Sequence, residues 1–207
     1  MRILSLFIIY IVVGCASPAS YLCGDRYCGQ DQWQDAIDEV VSANFPNETY
    51  EGVLWADDFM NAWVSTGKQI NITAVMNYHL ETRERRVAIV AHELAHLKQG
   101  HYYQKLAVHI ATNTIVLVTE INYPGTQQLT GPVGNIGISA FSRSKESEAD
   151  RIAIQYLEKA NYTKEDFLDL LYWMRDNLPQ SFHNPLTATH PHVLERIEDI
   201  KKFDSHH

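Results

Sequence analysis

The residue spacing with the clearest chemical meaning in this chain is that of two histidines and a glutamate: His92, Glu93 and His96. Residues four apart on a helix project from one face, so the two imidazole rings would lie one turn apart. Two ring nitrogens placed in this way can bind one zinc ion at about 2.0–2.1 Å. Glu93 would lie beside the metal, where its carboxylate can take a proton from a zinc-bound water. The triplet therefore predicts a catalytic zinc site.

Residues 82–101 have the pattern of one buried helix that carries this triplet. Thr82 suits the N-cap, Glu84 falls in the first turn, and Gly100 stands where a C-cap glycine is common. Apolar residues recur at i, i+3, i+4 and i+7 and cover much of the helix surface. A single buried histidine is usually a hydrogen-bonded core residue. Three ionisable groups buried together are costly unless a cation compensates them, which favours a metal.

A catalytic zinc needs a third protein ligand, and the candidates are the acidic residues of the segment 141–150. Glu146 and Asp150 are four apart and share a helical face, whereas Glu148 falls roughly on the opposite side. Only one of the two glutamates can therefore face the metal. The pattern favours Glu146, because Asp150 on the same face can orient a ligand. The alternative is a surface turn with two solvated glutamates.

These motifs together resemble a known group of zinc metallopeptidases. They occur in the family's order over roughly residues 45–200. The order is His-Glu-Leu-Ala-His with His101 five residues on, then Phe-Ser-Arg and Glu-x-Glu-Ala-Asp, then Thr-His-Pro and Arg. The chain resembles the HtpX and CAAX-prenyl-protease family, which are gluzincins, and most of all its soluble bacterial lipoprotein branch. The resemblance implies a zincin-like metallopeptidase domain that is α+β, mostly helical, with a small β-sheet beside the HExxH helix.

The resemblance also implies roles for individual residues. The zinc ligands become His92, His96 and Glu146, with Glu93 as the general base. His190 and Arg196 match the family's His-Pro…Arg pattern at the start of the last helix. A catalytic role for His190 in stabilising the oxyanion is one expectation, and simple anchoring of that helix by both residues is the other. We expect Arg196 and Asp150 to support the ligands from outside the coordination sphere. His101 matches a recurrent family histidine that is not a zinc ligand.

Length and composition indicate one globular domain. The chain has 207 residues, 45% of them hydrophobic, which is enough for a sizeable core. Its formal net charge of −8 argues against a general nucleic-acid-binding protein, because no basic stripe is present. We predict a signal peptide at residues 1–14, a tether at 15–31 and a zinc metallopeptidase domain at 32–207.

The first residues have the features of an export signal. A short basic start is followed by an apolar run over residues 3–13 that is too short to span a membrane comfortably. Val-Val-Gly-Cys then resembles the lipobox of bacterial lipoproteins, so Cys15 would become the lipidated first residue of the mature protein. Ala16 after the cysteine points to the outer membrane, with the domain facing the periplasm. The alternative is an ordinary cleaved signal that ends near Ala16 or Ala19.

The two other cysteines, Cys23 and Cys28, lie five residues apart in the tether. Export implies an oxidising compartment, so the pair is interpreted as a local disulfide. A zinc site is less favoured because no further cysteine or histidine pair is near. A redox role would call for the tighter Cys-x-x-Cys spacing.

Local patterns predict the remaining elements. Asp31 would cap a helix over 32–44, strands would span 51–56, 62–65 and 69–76, and the last of these would lead directly to the histidine-bearing helix. A packed core helix is predicted over 103–119, a loop over 123–137, and a helix from about 138–144 to Ala160. A helix capped by Thr163 would run to Asn177, and after a loop over 179–188 a final one, capped by Thr189, would reach Phe203.

We therefore predict a zinc metalloendopeptidase of the cell envelope that binds one zinc ion per chain and no further cofactor. Its substrates would be unfolded or misfolded envelope polypeptides, held as extended strands along the edge of the 69–76 strand. Its contact with the membrane would be the N-terminal lipid. The alternatives are a chaperone-like or binding lipoprotein in which zinc is mainly structural, and a zinc hydrolase that acts on peptidoglycan peptides.

Overall fold

The computed structural model describes residues 22–23, 26–27, 29–65, 68–122, 127–178 and 190–204. The strands are β1 (Leu22–Cys23), β2 (Arg26–Tyr27), β3 (Glu51–Trp55), β4 (Ala62–Ser65) and β5 (Gln69–Thr73). The helices are α1 (Gln30–Asn44), α2 (Ala74–His79), α3 (Arg83–Lys98), α4 (His101–Asn122), α5 (Gln127–Lys159), α6 (Lys164–Asn177) and α7 (Val193–Lys202). The prediction of a mostly helical α+β domain with a small sheet is confirmed.

The sheet of β3, β4 and β5 lies beside α3 and has β5 at its centre. β5 pairs in parallel with β3 and antiparallel with β4, with Ile72 opposite Ala62 and Leu54. The predicted strand 69–76 is therefore too long, because the chain enters α2 after Thr73. The prediction that this strand offers a free edge to a substrate is also wrong, because β5 lies between β3 and β4 and both of its edges are already paired.

Helix α3 is the centre of the hydrophobic core, as its pattern predicted. The hydroxyl of Thr82 accepts a hydrogen bond from the backbone N–H of Arg85 and caps the helix, as expected. Every residue from Arg86 to Ala95 is buried, because α1, α5 and α6 pack around α3. Gly100, at φ 65°, adopts the left-handed conformation that ends a helix and that glycine adopts without strain.

Several helix boundaries differ from the sequence predictions. α1 begins at Gln30 with Gly29 as its N-cap, so Asp31 lies in the first turn and is not the cap. Gly29 has φ 83°, and a Cβ there would collide with the side chain of Asn77. α6 is confirmed with its capping box between Thr163 and Asp166. α7 begins only after His192, which is in the left-handed conformation.

The two helices after Gly100 differ most from the predictions. α5 begins at Gln127, so the predicted loop over 123–137 is helical from that residue onward. Contact with α4 offsets the low helix propensity of its glycines and proline. The prediction that α4 is a packed core helix is also wrong, because it exposes many large apolar side chains: Tyr102, Tyr103, Ile110, Ile115, Leu117, Val118 and Ile121.

Some predictions fall outside the described residues or their described side chains. These are the signal peptide, the lipidation of Cys15, the Cys23–Cys28 disulfide, the cap at Thr189 and the loop at 179–188. Within the described part of the chain, no helix has both the length and the apolar character that crossing a membrane requires.

Candidate active site

Three parts of the chain bring ionisable side chains together in the core. α3 contributes His92, Glu93 and His96, and α5 contributes Glu146 because it packs along α3. The segment just before α7 contributes His190. All five side chains are buried or nearly buried, with His92 at 5% and Glu93 and Glu146 at 3% exposure.

The metal-binding atoms of this cluster converge on one point. The Nε2 atoms of His92 and His96 lie 3.0 Å apart. The carboxylate of Glu146 places Oε2 at 3.5 Å from Nε2 of His92 and Oε1 at 3.3 Å from Nε2 of His96. Ligands held tetrahedrally at about 2.0–2.1 Å from a zinc ion are separated by roughly 3.3–3.4 Å. These three side chains therefore fit zinc as they stand.

His190 lies against the same cluster. Its Nδ1 is 3.2 Å from Nε2 of His92 and 3.2 Å from Oε2 of Glu146. Its Nε2 is 3.4 Å from Oε1 of Glu93. With His92, His96 and Glu146 it forms a group whose potential ligand atoms all lie within 4.8 Å of one another. The imidazole of His190 thus separates Glu93 from Glu146 and contacts both carboxylates.

Two histidines of the cluster, His92 and His96, have strongly shifted pKa values. Burial acts to lower the pKa of His92, but the carboxylates of Asp150 and Glu146 outweigh it and raise the pKa to about 9. Burial and the positive charge on His92 lower the pKa of His96 to about 3. The negative carboxylates therefore stabilise a positive charge beside the converging ring nitrogens, which favours a metal cation there.

The pKa values of the two glutamates of the cluster are shifted in opposite directions. Burial raises the pKa of Glu93, whose carboxylate adjoins a cavity of about 20 Å³ with the apolar side chains of Ile89 and Leu170 in its wall. Burial alone would also raise the pKa of Glu146, but His190 and Arg196 hold it well below its usual range. Glu146 is thus kept as an anion, while Glu93 is poised to exchange a proton.

Asp150 and Arg196 form a buried ion pair behind the cluster. Nε and Nη2 of Arg196 donate to the two carboxylate oxygens of Asp150 at 2.8 and 2.7 Å. The other face of Asp150 places Oδ1 at 2.9 Å from Nδ1 of His92. Nη1 of Arg196 lies 3.2 Å from Oε2 of Glu146. One guanidinium therefore contacts both carboxylates of α5 that face the cluster.

Glu148 lies outside the cluster, where the helical-face argument placed it. Its side chain is 41% exposed and accepts a hydrogen bond from Nζ of Lys145 at 2.7 Å. Glu148 also lies near His101, whose ring contacts His96. His101 was expected only to match a family histidine that is not a zinc ligand. In a continuous helix, its five-residue spacing from His96 would put the two residues on different faces.

A cleft of about 180 Å³ opens onto the cluster. Trp63 and Val64 of β4 form one wall, and Glu93 and His96 lie at its base. β4 is an outer strand of the described sheet, because β5 occupies one side of it and no other described strand pairs with it. An extended chain in this cleft can therefore pair with β4 and present a peptide bond to Glu93.

Lys105 and Lys145 line the part of this cleft formed by α4 and α5. No sequence pattern predicted a role for either lysine. A lysine on a helix is usually a solvated surface residue, and only the folded chain brings these two helices to the same cleft.

The family model described as "Peptidase family M48" matches residues 30–204. Two relatives are named "Beta-barrel assembly-enhancing protease". The one from Escherichia coli (strain K12) is 24% identical over 174 residues, and the one from Yersinia pestis is 24% identical over the same length. Each match covers 78% of this chain and 36% of the relative. The mitochondrial metalloendopeptidase OMA1 of Schizosaccharomyces pombe is 26% identical over 151 residues, which is 71% of this chain and 44% of that protein. Each match thus covers less than half the length of the relative.

Proposed function

Because the chain belongs to peptidase family M48, we propose that it is a zinc metalloendopeptidase. His92, His96 and Glu146 hold one zinc ion, and Glu93 is the general base. The observation that carries this proposal is the convergence of two imidazole nitrogens and a carboxylate at 3.0–3.5 Å from one another, at the base of an open cleft. The finer resemblance to the HtpX and CAAX-prenyl-protease branch stays a prediction.

The chemistry divides between the metal and the side chains. Zinc bound here supplies a Lewis acid for the scissile carbonyl and lowers the pKa of a water molecule toward about 7. Glu93 takes the proton of the attacking water and returns it to the leaving amine, which its raised pKa favours. His190 lies in the wall of the cleft beside Glu93, where its ring can stabilise the oxyanion of the tetrahedral intermediate.

Asp150 and Arg196 act through the ligands. Oδ1 of Asp150 lies 2.9 Å from Nδ1 of His92 and favours a proton on that nitrogen, which leaves Nε2 for the metal. Arg196 keeps the carboxylate of Glu146 ionised and oriented. Neither side chain needs to touch the substrate in this arrangement.

Unfolded or misfolded envelope polypeptides are the substrates that this cleft suits. Pairing with β4 requires an extended backbone and depends little on side-chain identity, so a folded domain would be excluded. The relatives named for β-barrel assembly support an envelope setting. Anchoring by a lipid on Cys15, in the outer membrane and facing the periplasm, belongs to the same proposal.

The proposal is tested with the purified protein. We expect one zinc ion per chain by elemental analysis and cleavage of unfolded casein. A chelator should stop the cleavage, and added zinc should restore it. A protein that binds zinc at this stoichiometry but cleaves no unfolded substrate would contradict the enzymatic assignment.

The choice of third ligand is tested by a matched pair of variants. Glu146→Ala should lose most of its zinc, because the buried carboxylate at the cluster is removed. Glu148→Ala should stay close to one zinc ion per chain in a weak chelator, because this partly exposed glutamate contacts Lys145 and His101 and supplies no ligand atom to the cluster. Zinc content after dialysis against a weak chelator measures both. Loss of zinc from Glu148→Ala alone would reverse the assignment.

Lys105 in the cleft predicts a preference for acidic substrates, since Lys145 already donates to Glu148. Lys105→Gln should slow the cleavage of peptides with an acidic residue near the scissile bond about two- to fivefold, as expected for a contact of about 0.4–1 kcal/mol between exposed charges. Cleavage of the neutral analogues should be unchanged. Competing acidic and neutral peptides in one reaction give the ratio directly. Lys202→Gln, at an exposed position of α7, is the control, and an equal change in that variant would contradict the assignment.

A further inference from the structure

The ring of His96 has two nitrogens that face different groups. Nε2 faces His92 and Glu146, where the proposed metal lies. Nδ1 points the other way and lies 2.9 Å from Nδ1 of His101. Such a short separation between two ring nitrogens requires a proton between them, carried by one ring and accepted by the other.

The position of His101 depends on the break between α3 and α4. In a continuous helix, five residues turn through about 500°, so His101 would lie about 140° around the axis from His96. α3 instead ends at Lys98, and Gly100 takes up the left-handed conformation. α4 then begins with His101 itself, which is 4% exposed. The turn thus places a buried imidazole directly against a proposed zinc ligand.

We propose that His101 is a positioning residue for the metal site, which accepts a hydrogen bond from Nδ1–H of His96 and thereby directs the lone pair of Nε2 at the metal. This inference rests on the proposed function, because it takes His96 as a ligand through Nε2. A ligand nitrogen carries no proton, so the ring proton of neutral His96 must be on Nδ1. Nδ1 of His101 is then the acceptor.

Glu148 explains why His101 has the required tautomer. If Nδ1 of His101 accepts, its single proton must be on Nε2. Nε2 lies 3.3 Å from Oε2 of Glu148, at an angle too bent for a hydrogen bond as the side chains stand. A carboxylate at that distance still favours a proton on Nε2 over one on Nδ1. Lys145, which donates to Glu148, holds this carboxylate in place.

The groups that face Nδ1 therefore differ between the two histidines of α3. Nδ1 of His92 faces the carboxylate of Asp150 at 2.9 Å, and that carboxylate is buried with Arg196. Nδ1 of His96 instead faces the ring of His101, which carries no negative charge. A neutral acceptor gives a weaker hydrogen bond than an anion. The second glutamate of the Glu-x-Glu motif thus acts on the metal site through His101.

A pair of substitutions at His101 separates the acceptor from the bulk of the ring. Asn places its amide oxygen one bond from Cγ, where Nδ1 of histidine stands, and so keeps an acceptor for His96. Gln carries its amide one bond further out and loses that acceptor. We expect His101→Gln to weaken zinc binding about 10- to 100-fold, as is usual when a group that orients a ligand is removed. His101→Asn should bind zinc within about threefold of wild type, because the acceptor that orients the ligand is kept.

The readout is the zinc dissociation constant, measured by competition with a chromogenic chelator, with thermal unfolding of the metal-free proteins as the control for folding. Equal zinc affinities in the Asn and Gln variants, whether both strong or both weak, would overturn the role of His101. A wild-type protein that binds no zinc would instead overturn the proposed function. If the Gln variant unfolds without metal, Glu148→Gln decides the matter. It should weaken zinc binding less than His101→Gln does, too little to empty the site in a weak chelator, while the metal-free unfolding temperature is unchanged. Wild-type affinity in that variant would count against the proposal.

Discussion

Glu93→Gln is expected to abolish peptide cleavage while zinc stays bound at one ion per chain. Gln has nearly the same shape but cannot take the proton of the attacking water, and removal of a general base typically lowers kcat about 10²- to 10⁴-fold. The side chain is buried and faces Nε2 of His190 at 3.4 Å, so an amide can keep part of this contact. Initial rates on casein, with zinc content measured on the same sample, give the answer.

The same variant distinguishes an enzyme from a binding protein. A chaperone-like protein with structural zinc would keep its cellular function in Glu93→Gln and lose it in His92→Ala, which would unfold the domain. A peptidase would lose function in both. Wild-type casein cleavage by Glu93→Gln would refute the proposed mechanism, whatever the zinc content.

Arg196→Met is expected to lower the free energy of unfolding by about 3–5 kcal/mol, the usual result of removing one partner from a buried ion pair. Arg196 is 4% exposed and donates two hydrogen bonds to Asp150, which is fully buried. Met preserves most of the packing volume but leaves Asp150 and Glu146 without their shared cation. For a domain of this size, this corresponds to a fall in Tm of about 6–20 °C. The unfolding free energy is measured in the presence of a chelator, so that a loss of zinc binding does not contribute to the difference.

A surface pair provides the control for this experiment. Arg85 contacts Asp169 through two nitrogens, at 2.7 and 3.3 Å, but Asp169 is half-exposed. Arg85→Met should cost only about 0–1 kcal/mol, because water solvates the remaining carboxylate. The double variant Asp150→Leu with Arg196→Met should recover part of the lost stability, since the buried charge of Asp150 is then no longer left without Arg196. Equal losses in Arg85→Met and Arg196→Met would contradict this account of the buried pair.

Local patterns predicted α3 and α6 well, because each of their signals acts within one or two turns. Thr82 caps α3, its apolar residues repeat with the helical period, and Gly100 ends the turn that follows. The capping box of Thr163 and Asp166 is likewise a contact between residues three apart. Such signals are contained in the sequence because neighbours along the chain are also neighbours in space.

Where tertiary packing outweighs local propensity, the sequence predictions failed. The glycines and the proline after residue 126 suggested a loop, yet α5 begins at Gln127 where it packs with α4. The apolar pattern of α4 suggested a core helix, yet its large side chains are exposed. Periodicity indicates that a segment is helical and apolar, but the packing of other elements decides which faces are covered.

The sequence by itself determined which side chains can share a face. The four-residue spacings put His92 beside His96 and Glu146 beside Asp150, because the helical repeat is a local property of the backbone. Only the tertiary structure decided how these faces meet. α5 lies along α3, β5 lies between β3 and β4 so that β4 is an outer strand of the described sheet, and the turn at Gly100 brings His101 to His96. Neither the number of residues between these partners nor their positions around a helix predicts how far apart they lie. The packing of the common core therefore determines these contacts.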